Sequence, residues 1–153
     1  MPILARKWIA LLIACLLLPG IAQAGRDYHQ TLVKGGRSLE LQISPEFNPQ
    51  EREQLIAWLD FISTALLQVY GYWPRQEWRV SVTPASSSNA NPIPWAQVRR
   101  DNVDGIEFFT APGADAEQLK REWTGYHELA HLLIPYRGWG DVWFSEGVAT
   151  YYQ

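Results

Sequence analysis

The chain has 153 residues, with 13 basic and 16 acidic side chains, a formal charge of −3, a single cysteine and 13% aromatic residues. The acidic balance argues against nucleic acid as a partner, the aromatic content against a disordered segment, and the lone Cys15 against a structural disulfide.

The first residues read as an address. Arg6 and Lys7 precede the apolar run Trp8 to Leu18, and Pro19-Gly20 leads to the small-residue site Ala22-Gln23-Ala24. This is the pattern of a secretory signal peptide over residues 1–24, cut after Ala24, and the run is too short to span a bilayer comfortably. The expected location is therefore periplasmic or secreted, with no stable membrane anchor after cleavage. Cys15 leaves with the leader. Removing 24 of 153 residues leaves 129, enough for one domain at 25–153, and 11 basic against 16 acidic residues set its charge at −5.

Two runs around Gly35-Gly36, the second alternating Leu39, Leu41 and Ile43, predict a β-hairpin. A helix start follows: Asn48 can cap, Pro49 suits the first helical position, and Glu51 completes a capping box. Leu55, Trp58, Leu59, Ile62, Leu66 and Val69 then recur at helical spacing up to Gly71, predicting a long backing helix with one core face. Trp78, Val80 and Val82 alternate as a strand. The Ser-, Asn- and Pro-rich stretch 83–94 reads as a surface loop, and residues 105–112 as a further strand. A second helix is expected from about Asp115 to Ile134, ended by Pro135, and a third from about Val142.

Two of the three histidines lie on that second helix. His127 and His131 are one turn apart, about 6 Å along the axis, so their imidazoles can reach one metal ion, and Glu128 borders them without competing for either position. His127-Glu128-Leu129-Ala130-His131 is the H-E-x-x-H zinc signature, in which the glutamate handles a water proton. A chance occurrence on an ordinary amphipathic helix is the competing explanation. The apolar flanks Leu129, Leu132 and Leu133 and an acidic residue on a following helix weigh against it.

A catalytic zinc site commonly takes three protein ligands. A metzincin would need glycine and then histidine or aspartate three and six residues after His131, where Ile134 and Arg137 stand. Asp141 is a candidate oxygen ligand, although a helix-capping role is the plainer reading for it. Glu146 is better placed, one turn into the third helix. Gly147 is expected to let the two helices approach closely, Gly138 and Gly140 to supply the bends, and Trp143 to pack on the second helix.

"HELAH" followed by "WFSEGVATYY" resembles the gluzincins, especially the aminopeptidase-N-like and glycyl-aminopeptidase-like families, whose third ligand is the glutamate of a W-x-x-E-G-type segment. The resemblance covers about residues 125–152. It implies a zincin-like α+β fold: a small mixed sheet packed on a backing helix and an active-site helix, with a third helix carrying the last ligand. It further implies Zn2+ held by His127, His131 and Glu146, with Glu128 as general base. The resemblance also offers Glu107 as a counterpart of the strand glutamate that holds a substrate amine in those families, but the spacing matches poorly and an exposed strand residue is the favoured reading. The gap from His131 to Glu146 is shorter than usual, and the chain stops at Gln153, where those families continue through a helical part. The resemblance thus implies either a chain that lacks the C-terminal portion or a minimal protease-like domain.

The expected activity is hydrolysis of peptide bonds in a peptide or protein substrate by metal-activated water. Tyr136, Tyr151 and Tyr152 are candidate oxyanion donors by residue type alone. The alternative is a catalytically inactive zinc-binding or peptide-binding scaffold of the same fold. A third reading, a chaperone-like domain, would line a peptide groove with Trp95, Trp139 and Trp143.

Overall fold

The computed structural model describes residues 25–87, 91–100, 102–135 and 138–153, and the side chain of Trp139 is not among the described parts. The signal-peptide reading of residues 1–24 and the candidate Tyr136 lie outside the described residues. Among the described residues no helix is long and apolar enough to cross a membrane.

Strands β1 (Tyr28–Lys34) and β2 (Arg37–Ile43) form the expected hairpin, closed by Gly35 at φ 58° and Gly36 at φ 75°. Two left-handed residues in succession make the tight turn whose twist matches that of the flanking strands. Helix α1 (Pro49–Tyr70) begins as its sequence dictates: the Asn48 side chain accepts from the Glu51 backbone N–H at 3.0 Å, and Glu51 accepts from the Asn48 N–H at 2.8 Å. It ends at Gly71, whose φ of 95° closes a left-handed cap.

Strands β3 (Glu77–Pro84), β4 (Trp95–Arg100) and β5 (Asp104–Thr110) complete a five-stranded mixed sheet in the order β1-β2-β3-β5-β4. β2, β3 and β5 run parallel, with α1 as the crossover between β2 and β3, and the edge strands β1 and β4 are antiparallel to their neighbours. Register aligns the apolar residues: Leu41 lies beside Val80, Val80 beside Ile106, and Val82 beside Phe108. All are buried, and the Trp58 ring of α1 meets Phe108 edge-on at 5.0 Å. Side chains alternate across a strand, so Glu40, Arg79, Ser81 and Glu107 occupy the opposite face. The architecture is α+β.

One strand was not expected, and one expectation needs correction. β4 lies at the sheet edge, directly after the expected loop, in a stretch to which periodicity assigned no element. Only Ala96 and Val98 give that segment an apolar stripe, between Gln97, Arg99 and Arg100. The helix expected over 115–134 is broken. Helix α2 (Ala116–Arg121) starts from an Asp115–Gln118 capping box and stops at Glu122, whose φ −83° and ψ 120° are extended. Helix α3 (Trp123–Ala130) then restarts in a new direction, and the Tyr126 hydroxyl donates to the Lys120 carbonyl at 2.8 Å, replacing a helix bond lost at the break. Gly125 lets α3 close on α1, since a Cβ there would lie 2.7 Å from the Trp58 ring.

Candidate metal centre

His127 and Glu128 lie in the last turns of α3, and His131 opens the short 3-10 turn His131–Leu133 that tightens its end. Arg100 fixes this end to the sheet by donating from Nη2 to the His131 carbonyl at 3.0 Å, while its Nη1 pairs with Asp104 at 3.2 Å and Arg75 holds the same carboxylate at 2.7 Å. After Gly138, at φ 106°, a 3-10 turn Trp139–Asp141 leads into α4 (Val142–Tyr152). Helix α4 lies against α3 and returns Glu146 to the histidines.

The Glu146 carboxylate spans both rings, with Oε2 at 3.2 Å from His127 Nε2 and Oε1 at 3.6 Å from His131 Nε2. One ligand atom from each of these three residues lies within 4.8 Å of the others. The outer ring nitrogens are occupied: His127 Nδ1 meets Gln153 Oε1 at 3.1 Å, and His131 Nδ1 meets Ser145 Oγ at 2.9 Å. The donor set fits a metal ion. With the proton of a neutral His127 on Nδ1, donated to the Gln153 amide oxygen, the Nε2 lone pair faces the Glu146 carboxylate, the arrangement that a cation between them requires. Two imidazoles and one carboxylate on a partly exposed cleft are a ligand set suited to zinc and other transition metals.

The cleft has a volume of about 490 Å³ and is lined by Val98, Arg100 and Glu128 as well as the cluster. Burial is the main cause that raises the Glu128 pKa above the ordinary carboxylate range; a charged His127 would oppose this, and Glu146 adds to it. The His131 pKa is lowered, first by burial, with Glu146 opposing and His127 and Arg100 reinforcing. A neutral His131 is the form that can ligate.

His127, His131, Glu128 and Glu146, all singled out from sequence, are thus brought together. Glu107 is not. Its neighbours Ile106 and Phe108 point into the core, so it stands on the opposite face of the sheet, where Gln97 Nε2 donates to it at 2.7 Å and Arg99 forms an ion pair. That placement removes it from the candidate site as a holder of a substrate amine. Asp141 stands at the N-terminus of α4 without a side-chain cap bond and outside the three-residue cluster. Gly147 does not mediate the α3–α4 approach, because a Cβ there would meet nothing within 4 Å. Buried Ser145 and Ala149 make it instead. Gly138 supplies a bend, but Gly140 has no positive φ. Trp143 is 75% exposed, not packed on α3, and the indole against His127 is that of Trp123, at 5.4 Å. Tyr151 is exposed, and Tyr152 packs edge-on to Tyr70 at 5.6 Å, away from the cleft lining.

Arg100, Ser145 and Gln153 were not among the residues expected at the site. Ser145 carried a signal, since it directly precedes the expected ligand; Arg100 lies on the one strand that periodicity did not expose. No protein-family model matches the chain, and comparison with curated proteins finds no match. The fold and site therefore define a class: an α+β domain with a His127–His131–Glu146 cluster able to bind a metal ion.

Proposed function

We propose that the chain is an exported, zinc-dependent peptidase of zincin-like fold that hydrolyses peptide bonds with Glu128 as general base. The observation that carries this reading is the convergence of His127, His131 and Glu146 in one cleft whose wall also presents Glu128. A purely structural metal site has no use for a carboxylate beside the ligands and outside the ligand set. Zinc, when bound, supplies Lewis acidity, making a water molecule acidic near neutral pH and polarising a carbonyl. Glu128 accepts the proton of the attacking water and hands it to the leaving amine, so its carboxylate must ionise and reprotonate in each cycle. Arg100 holds the end of α3 through the His131 carbonyl and keeps that ligand in register with the sheet edge.

Peptide hydrolysis by the zinc-loaded mature chain, compared with Glu128→Gln, tests the proposal. The variant keeps its zinc, because residue 128 is not a ligand, and loses activity by about 10²–10⁴-fold. Undiminished hydrolysis removes the base. Export is tested by mass spectrometry of protein recovered outside the cytoplasm: the expected start is Gly25, and a mature protein that begins at Met1 contradicts it.

A further inference from the structure

All four imidazole nitrogens of the cluster are met by side chains of α4 or of Gln153 directly after it. Glu146 takes both Nε2 atoms, at 3.2 and 3.6 Å, while Ser145 takes His131 Nδ1 at 2.9 Å and Gln153 takes His127 Nδ1 at 3.1 Å. Ser145, Ala149 and Gln153 recur at intervals of four, the spacing of one helix stripe, and Ala149 is fully buried. Neighbours on a helix are about 100° apart. Ser145 and Glu146 can therefore grip opposite edges of the same His131 ring.

A neutral imidazole has one N–H, and the nitrogen that keeps it cannot bind a metal. We propose that Ser145, and more weakly Gln153, are positioning residues: they hold the His131 and His127 rings through Nδ1 so that both Nε2 atoms point towards Glu146, and they accept the Nδ1 protons when Nε2 binds the metal. The inference rests on the metal-site reading above and adds to it what aims the two ligands. The two contacts differ in burial. His131 is 6% exposed and Ser145 8%, so a lost hydroxyl leaves the ring N–H without a partner. Gln153 is exposed, so water can replace its amide.

The test is zinc affinity of the metal-free mature chain, measured by competition with a chromogenic chelator, with Co2+ absorption as a second readout of ligand geometry. Ser145→Ala is expected to weaken zinc binding by about 10–100-fold, the range found when partners of ligating histidines are removed. Ser145→Thr and Ser145→Val have the same shape and differ in the hydroxyl, so any crowding is common to both. The threonine variant is expected to bind near wild-type strength and to keep the wild-type Co2+ spectrum, and the valine variant to lose both. Gln153→Ala is expected to lose less than about tenfold. Equal affinity and equal spectra for the threonine and valine variants overturn the inference while leaving the metal site intact. A wild-type chain that takes up no zinc overturns both.

Discussion

The sheet with α1 and the helix α4 are held in the molecule by different forces. Between α1 and the sheet the contacts are mainly apolar, with Trp58, Leu59, Ile62, Val80, Ile106 and Phe108 all essentially inaccessible to solvent and Lys34 of β1 bonding Asp60 and Thr64 at the edge. Helix α4 buries only Ser145 and Ala149 and leaves Trp143, Phe144 and Tyr151 exposed. It is seated by polar contacts to two imidazoles together with Ala149 in the core and Tyr152 against Tyr70. The first region is a scaffold packed around buried apolar side chains. The second is an element whose position is set in part by the groups that would hold a metal ion, so on the present reading zinc binding and α4 docking are coupled.

That contrast predicts different responses to the same perturbations. Trp58→Ala empties the space between α1 and β5 and should lower stability by about 3–5 kcal/mol, equally with and without zinc, in chemical denaturation. A loss that depends on zinc would dissolve the distinction between the regions. Zinc itself, at free concentrations a hundredfold above its Kd, should raise stability by about 2.7 kcal/mol through mass action, and hydrogen exchange should slow in α4 far more than in α1. Uniform slowing across both would contradict the local account. Gly125→Ala places a methyl 2.7 Å from the Trp58 ring, where α3 meets the scaffold, and overpacking of this kind costs about 1–3 kcal/mol. The smallest effect is expected for Trp143→Ser, within about 0.5 kcal/mol, because its indole touches little besides Phe144 at 5.9 Å. A large loss there would show that α4 is seated through its aromatic face.

The same contrast marks what could be read from the sequence. Asn48, Pro49 and Glu51 announce α1, and Gly35-Gly36 the hairpin, because caps and tight turns depend on local chemistry. His127, Glu128 and His131 are legible for the same reason, since the helical repeat alone puts both imidazoles within reach of one ion. Glu122 gives no such warning. It sits among good helix formers, and the bonds at the break, from the Glu122 N–H to the Leu119 carbonyl and from Thr124 Oγ1 to the Glu122 carboxylate, leave no mark on the apolar periodicity. Strand β4 has polar residues at three of its six positions and a nearly symmetric pattern, so its strand character comes from pairing with β5. The plainer reading of Glu107 was legible too. With Ile106 and Phe108 in the core, the two-residue period already assigns it to the far face. Trp143 was unreadable, because α4 is apolar nearly all round and no periodicity selects a buried face.

Zinc titration of the metal-free mature chain, followed calorimetrically for the wild type and for Glu146→Ala, Glu128→Gln and Asp141→Ala, tests the central claim most directly. The account predicts about one equivalent bound by the wild type, Glu128→Gln and Asp141→Ala, and affinity lost by orders of magnitude in Glu146→Ala, whose carboxylate spans both Nε2 atoms. Zinc binding that survives the loss of Glu146, or that depends on Asp141 instead, would contradict it.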